Sequence, residues 1–225
     1  MDSITAGKRI VQRFVSPEVG TNMYVMTDES LALIVDAHNS EEALSFLKEN
    51  GITTCTVLLT HEHPDHTCGL YALQQNFSTT IICQRLCGEA IANLENNRPT
   101  LVTAMLSIQD SRNGTNNAEA FLRRYEEHTY HADIVFDARH NIEWCGEQFF
   151  FTHTPGHSSG SCCILWNGHT VFTGDSLLLG MPVITRLPGG STSLYQTITI
   201  PFLNTLDKKF LVLPGHGMEF WLKDL

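Results

Sequence analysis

Three histidines and an aspartate gather in one short segment, residues 58–70, which reads LLTHEHPDHTCGL. His61 and His63 stand two residues apart, so in an extended chain both side chains point to the same face. Asp65 and His66 follow after a proline, which fixes the backbone where the strand ends. Imidazole nitrogens and carboxylate oxygens suit zinc or another first-row divalent cation. The spacing predicts a metal site, with an exposed histidine-rich turn as the alternative.

Three later segments share one pattern, in which an apolar strand is followed by a glycine and then by a possible ligand. His157 follows FFFTHTPG, Asp175 follows VFTG and His216 follows FLVLPG. Open α/β sheets place their sites at the carboxyl ends of strands, and a glycine lets the backbone approach closely because it has no Cβ. Four segments of this kind in one chain support a metal site far better than a single Gly-His pair would.

The elements that must position these residues alternate between strands and helices. Continuous apolar runs predict buried strands, and apolar residues three and four apart predict helices. The stretch 84–130 departs from this rhythm and carries three helical patterns. The order of elements predicts two α/β halves whose sheets face each other. The predicted strands cover residues 10–15, 23–26, 31–35, 54–60, 80–83, 134–136, 149–152, 162–166, 170–173 and 210–213.

Composition narrows the function classes. The 225 residues are 42% hydrophobic, and 24 acidic against 14 basic residues give a net charge of −10, which disfavours a nucleic-acid partner. No apolar run approaches the roughly 20 residues of a membrane span, so no membrane partner is expected. The N-terminus lacks the apolar segment of a signal peptide. With seven cysteines read as reduced thiols, a cytoplasmic location is expected.

Taken together, HEHPDH, TPGH, TGD and PGHG resemble the metallo-β-lactamase superfamily. Within it they are most similar to the glyoxalase II-like branch, the hydroxyacylglutathione hydrolases and their single-domain relatives. The resemblance spans nearly the whole chain. It implies one domain over residues 1–225, an αββα sandwich of two facing mixed sheets with outer helices, and a helical insert at about 84–130.

The resemblance also implies two divalent metal ions, zinc first, with iron or manganese as alternatives. A hydroxide between the two ions would attack the substrate carbonyl, and Asp65 would act as the catalytic residue that orients it. The implied ligands are His61, His63 and His157 for the first position, Asp65, His66 and His216 for the second, and Asp175 as the bridge.

The implied function is hydrolysis of a thioester, ester or lactone with a small acyl substrate. The alternatives are a phosphodiesterase or nuclease of the same superfamily and a mononuclear iron persulfide dioxygenase. A non-enzymatic binding module is least expected, because such members would be expected to lose ligands. The resemblance to true β-lactamases is weaker, because those enzymes carry Cys or Ser at the position of Asp175. Full-length glyoxalase II proteins add a C-terminal helical domain that helps hold glutathione. This chain is expected to lack that domain, which leaves its glutathione specificity open. The acyl group of the substrate and the oligomeric state are also left open.

Four further residues are candidates for substrate contact. His38 stands where the family has the Gly of an Asp-x-Gly motif, and it either approaches the cleft or bonds backbone in a loop. Arg186 either meets a substrate carboxylate or ties its loop. Met105 and Phe121 belong to the insert, which would close the cleft and line it with adaptable apolar side chains. Packing of the insert onto the sheet is the alternative for each of these two.

Overall fold

The computed structural model describes all residues, 1–225, and thirteen strands form two mixed sheets. The first sheet has seven strands in chain order; the first four pair antiparallel and the last four pair parallel. Its strands are β1 (Asp2–Ala6), β2 (Arg9–Val15), β3 (Asn22–Asp28), β4 (Leu31–Val35), β5 (Thr54–Leu58), β6 (Ser78–Gln84) and β7 (Ile134–Phe136).

The second sheet has six strands, which pair antiparallel except for one parallel pair. The strands are β8 (Arg139–Trp144), β9 (Glu147–His153), β10 (Cys162–Trp166), β11 (Thr170–Gly174), β12 (Leu211–Pro214) and β13 (Phe220–Trp221). Their order across the sheet is β13-β12-β11-β10-β9-β8, and β11 with β12 is the parallel pair. The sequence patterns did not predict β1, β8 and β13.

Eight helices accompany the sheets, and a π-helical turn links the last two. The helices are α1 (Glu41–Glu49), α2 (Pro64–Thr67), α3 (Leu70–Asn76), α4 (Arg85–Ile91), α5 (Thr100–Asn113), α6 (Asn117–Arg124), α7 (Thr192–Leu194) and α8 (Ile200–Leu203). Local chemistry explains where α1 begins, since the Ser40 hydroxyl accepts from the Ala43 N–H at 3.1 Å and two glutamates occupy the first turn. No helix is both long and apolar enough to span a bilayer.

The core has three main layers. Between the sheets, a cluster of 19 buried residues joins Leu33 and Val35 of the first sheet to Phe151, Trp166 and Phe172 of the second. A second cluster, of 21 residues, packs α1, α3 and α4 onto the outer face of the first sheet, and a third, of 7 residues, covers the outer face of the second. The predicted αββα sandwich of two facing mixed sheets is therefore confirmed.

Helices α5 and α6 stand apart from these layers. They pack on each other through Val102, Leu106 and Phe121 in a small cluster of their own. All seven cysteines are free, and five of them are buried. The pair α5 and α6 thus forms an appendage to the sandwich, whose position over the ends of the strands is described next.

Candidate metal centre

The candidate metal-ligating side chains gather at one edge of the sandwich, in the segments that follow four of the strands. His61 and His63 follow β5, and Pro64 then starts α2, whose first turn carries Asp65 and His66. His157 lies in the loop after β9, and Asp175 directly follows β11. His216 lies two residues beyond the end of β12. Because β11 and β12 are parallel neighbours, their carboxyl ends bring the last two ligands to the same edge.

His61, His63 and His157 form the first group. Nε2 of His61 lies 3.1 Å from Nδ1 of His63, and Nε2 of His157 lies 3.0 Å from that same Nδ1. On its far side, Nδ1 of His157 lies 2.8 Å from the carbonyl oxygen of Ile184. A carbonyl can only accept, so Nδ1 of His157 carries the proton and its Nε2 turns a lone pair inward.

Asp65, His66 and His216 form the second group. Nε2 of His216 lies 3.4 Å from Nε2 of His66 and 3.4 Å from Oδ2 of Asp65. Nδ1 of His66 lies 2.9 Å from a carboxylate oxygen of Asp36. The Asp36 carboxylate accepts this hydrogen bond, so Nε2 of His66 also offers a lone pair to the group.

Asp175 reaches both groups. Its Oδ2 lies 3.4 Å from Nε2 of His157 and 3.5 Å from Nε2 of His216, and its Oδ1 lies 3.6 Å from Nε2 of His66. This Oδ1 is buried and has no hydrogen-bond partner. An unpartnered buried carboxylate oxygen is costly unless it meets a cation. The residues present therefore fit divalent metal ions, with nitrogen and oxygen ligands of the kind that first-row metals bind.

The electrostatics differ between the two groups. Burial alone would lower the pKa values of His66 and His216, but Asp65 and Asp175 raise both, so a metal ion would displace a proton from these rings. Burial lowers the pKa of His61 well below its ordinary value, and burial together with the neighbouring His157 lowers the pKa of His63 to about 4. Both rings are thus neutral at pH 7 and keep a lone pair for a metal. Burial by itself would raise the pKa of Asp175, but His216 and His66 hold it far below its usual range. Its carboxylate stays charged at neutral pH.

Glycine permits the close approach of the strand ends. A Cβ on Gly215 would lie 2.2 Å from Oδ1 of Asp175 and 2.9 Å from the backbone carbon of Gly174. Real side chains essentially never come so close to backbone. The glycine before His216 is therefore required because the loop passes directly over the Asp175 carboxylate.

Three polar residues that the sequence patterns did not single out hold the ligands in place. Asp36 accepts from the N–H and the hydroxyl of Thr60, each at 2.8 Å, as well as from His66. Glu62 accepts from the Ser158 hydroxyl at 2.9 Å and so ties down the loop of His157. The Thr21 hydroxyl donates to Oδ2 of Asp65 at 2.7 Å. Two of them carried a local signal, since Asp36 ends a buried strand and Glu62 lies inside HEHPDH.

A cleft of about 510 Å³ opens over the ligands. Its floor includes ligands of both groups, and one wall is a face of α5. The opposite wall comes from residues 178–187, the loop that follows Asp175. The ligands on the floor are His63, Asp65, His157, Asp175 and His216.

The structure separates the four candidates for substrate contact. Met105 lines the cleft from α5. Phe121 does not line it, because its ring is 6% exposed and packs against Val102 and Leu106 between α5 and α6. His38 is also away from the cleft: its Nε2 lies 3.1 Å from the carbonyl oxygen of Phe14. Arg186 is exposed and is not among the lining residues.

Comparison with known proteins agrees with this geometry. The profile of the metallo-beta-lactamase superfamily matches residues 16–216. The probable metallo-hydrolase YqgX of Bacillus subtilis is 27% identical over 89% of this chain and 87% of its own length. The hydroxyacylglutathione hydrolase GloC of Haemophilus influenzae is 27% identical over 86% of this chain and 83% of its own. The crystal structure of the BLEG-1 B3 metallo-beta-lactamase superposes with a TM-score of 0.71 at 25% identity, covering 95% of this chain and 94% of that one.

Proposed function

The chain belongs to the metallo-beta-lactamase superfamily, and on that premise we propose that it is a dinuclear, glyoxalase II-like hydrolase of thioesters, esters or lactones. Zinc is the proposed metal, with iron or manganese as alternatives. The proposed substrate is a small acyl compound in the cytoplasm. Hydroxyacylglutathione hydrolases among its relatives support the reaction class.

The position of Asp175 carries this proposal. One carboxylate lies within 3.6 Å of His157 from the first group and of His66 and His216 from the second. Two ligand groups joined by one carboxylate are the arrangement by which a protein holds two metal ions a few ångströms apart. Ligands of both groups also line the floor of the cleft, so a substrate in the cleft would meet both positions.

The bound ions would supply Lewis acidity, polarising a water molecule and the substrate carbonyl. Asp65 lies on the floor of the cleft, and the Thr21 hydroxyl fixes one of its oxygens at 2.7 Å. In this position Asp65 would accept a hydrogen bond from the attacking water and take up its proton. The water oxygen bonds to the acyl carbon, and the carbon–sulfur or carbon–oxygen bond breaks. The leaving group takes the proton, so the products are a carboxylic acid and a thiol or alcohol.

Metal content measured by mass spectrometry, on protein purified without added metal, tests the dinuclear site. We expect two ions per chain in the wild type. Asp175→Ala should lose metal from both positions, whereas His216→Ala should mainly empty one, because the Asp175 carboxylate faces ligand nitrogens of both groups. His131→Ala, which removes an exposed histidine, is the matched control. Two ions in Asp175→Ala would refute the bridging role, and one iron per chain would favour the persulfide dioxygenase.

A substrate panel tests the reaction class. Thioesters, esters, lactones, a β-lactam and small phosphodiesters are offered to protein containing its full complement of metal. We expect turnover of carbonyl substrates, with loss on chelation and recovery when metal is restored. Turnover of phosphodiesters alone would show that the proposed reaction is wrong.

A further inference from the structure

The cleft above the metal centre has an unusual chemical lining. Apart from the ligands, its side chains are almost all apolar, and Gln109 is the only other polar side chain. The wall formed by α5 presents Leu101, Met105 and Gln109 at a spacing of four residues, which places them on one face of the helix. Ile108 points away and is 56% exposed. The face that α5 turns to the cleft is therefore apolar except for Gln109.

The opposite wall is also apolar. It includes Met181 and Ile184, which are 44% and 41% exposed although they lie beside the metal centre. Apolar side chains left exposed around a concave site commonly mark the surface that a ligand covers. A volume of about 510 Å³ lies within the range of roughly 300–1,000 Å³ typical of small-molecule sites.

No lysine or arginine lines the cleft. Arg186 lies in the opposite wall's loop between Ile184 and Leu187, but it is exposed and outside the lining. The ionised carboxylates on the floor are Asp65 and Asp175, and the whole chain has a net charge of −10. Proteins that bind a carboxylate in a partly dry site usually provide an arginine or lysine for it. Away from the metal centre, no side chain of the lining offers an anionic substrate group such a partner.

We propose that the cleft accepts an uncharged, apolar acyl chain, so that the substrates are thioesters, esters or lactones of apolar carboxylic acids. Conjugates recognised through the carboxylates of glutathione are then not the preferred substrates. This proposal rests on the proposed hydrolase function and narrows it to one substrate class. The chain would lie along the α5 face, across from Met181 and Ile184, with its carbonyl at the floor.

Matched thioesters test this choice. The first series carries acyl groups from acetyl to octanoyl on neutral N-acetylcysteamine. The second series carries the same acyl groups on glutathione. A succinyl thioester, whose acyl group is charged, completes the set. Burial of each CH2 is worth about 0.8 kcal/mol, so kcat/KM should rise roughly fourfold per added CH2 until the cleft is filled. Glutathione in place of N-acetylcysteamine should change kcat/KM by no more than about twofold, and succinyl should be the poorest substrate.

Two lysine substitutions on α5 make the matched pair of variants. Met105→Lys puts a cation into the cleft, whereas Ile108→Lys puts the same cation on the exposed side of the same helix. We expect Met105→Lys to lower kcat/KM for the octanoyl thioester at least tenfold and to raise it for the succinyl thioester. Ile108→Lys should keep the wild-type ranking. Melting temperature and metal content are measured for both variants, so that a folding defect is recognised.

The outcomes separate this proposal from the hydrolase function on which it rests. Turnover that is independent of acyl length, or that prefers the glutathione series and is lost in Arg186→Ala, would overturn the apolar cleft and leave the hydrolase standing. Binding of the thioether S-octyl-N-acetylcysteamine, measured by calorimetry, does not require catalysis. If the thioether binds and Met105→Lys weakens binding, but no thioester, ester or lactone is cleaved, the apolar cleft stands and the hydrolase function is wrong. Absence of both binding and cleavage refutes both.

Discussion

The substitution Asp36→Asn is predicted to weaken metal binding although it replaces none of the candidate metal ligands. Asp36 accepts three hydrogen bonds, two from Thr60 at 2.8 Å and one from Nδ1 of His66 at 2.9 Å. Its backbone is left-handed, with φ of 56°, a conformation that asparagine tolerates well. The change therefore keeps the shape and the backbone of residue 36. It removes the acceptor oxygen Oδ2, which faces both Nδ1 of His66 and the Thr60 hydroxyl.

The physical consequence follows from the tautomer of His66. In the Asp36→Asn variant the remaining side-chain oxygen still accepts from the Thr60 N–H, which leaves the new NH2 group facing Nδ1 of His66. An NH2 group cannot accept, so the histidine proton moves to Nε2, the atom that faces the second group. A hydrogen bond to a charged group contributes about 1.5–3 kcal/mol. Outer-shell partners of metal-binding histidines typically contribute 10–100-fold in affinity, which is about 1.4–2.8 kcal/mol. Both estimates predict a loss of this size at the second position.

The assay is competition with a chromophoric chelator, which gives the dissociation constant of each of the two proposed ions. The weaker binding step should lose 10–100-fold in affinity. The first group should change less, because Asp36 reaches it only indirectly, through the Thr60 hydroxyl that lies 3.0 Å from Nδ1 of His61. Asp133→Asn is the matched control, because Asp133 also accepts from a backbone N–H, that of Ile81 at 2.7 Å, but lies away from the metal centre. Unchanged affinity for both ions in Asp36→Asn would refute the orienting role of Asp36.

Three further outcomes are expected. Asp65→Asn with its metal retained should lower kcat by roughly 100-fold or more, as loss of a general base does; a metal-replete variant with near wild-type turnover would disprove the role of Asp65. Gly215→Ala should lower metal content, since its Cβ would lie 2.2 Å from Oδ1 of Asp175, and a full metal content would show that the loop can move aside. Chelation should lower Tm by roughly 5–11 °C for each ion that is present at about 100 times its dissociation constant. Binding at one such site contributes about 2.7 kcal/mol, and 1 kcal/mol shifts Tm by about 2–4 °C in a chain of this size. Calorimetry before and after EDTA measures the shift, and no shift would mean that metal does not stabilise the folded chain.

The sequence predicted the central strands well and missed strands at the sheet edges. β4 and β10, which lie inside their sheets, were predicted with the bounds that the structure shows, because buried strands are near-continuous apolar runs. β7 is an edge strand of the first sheet, and its bounds were also predicted because all three of its residues are apolar. The three missed strands, β1, β8 and β13, are edge strands of their sheets. β8 reads RHNIEW, and only its last residue is buried. A strand with one open edge and little burial does not need the apolar pattern by which strands are recognised.

The ligand types could be read from the sequence because they are a local property. His61, His63, Asp65 and His66 follow one strand within six residues, so their spacing alone indicates a metal. His157, Asp175 and His216 could be proposed because each follows an apolar strand and a glycine. These features depend only on residue type and on the short-range geometry of a strand end.

Only the tertiary structure decided how these residues combine. The approach of His157 to His63 spans 94 positions, and that of His216 to His66 spans 150. It depends on the pairing of β11 with β12 and on the packing of one sheet against the other. The same is true of α5, since the sequence did not distinguish Met105, which lines the cleft, from Phe121, which packs against α5 from α6. Periodicity shows that a helix has an apolar face, but what that face meets is set by contacts between elements that are distant in the chain.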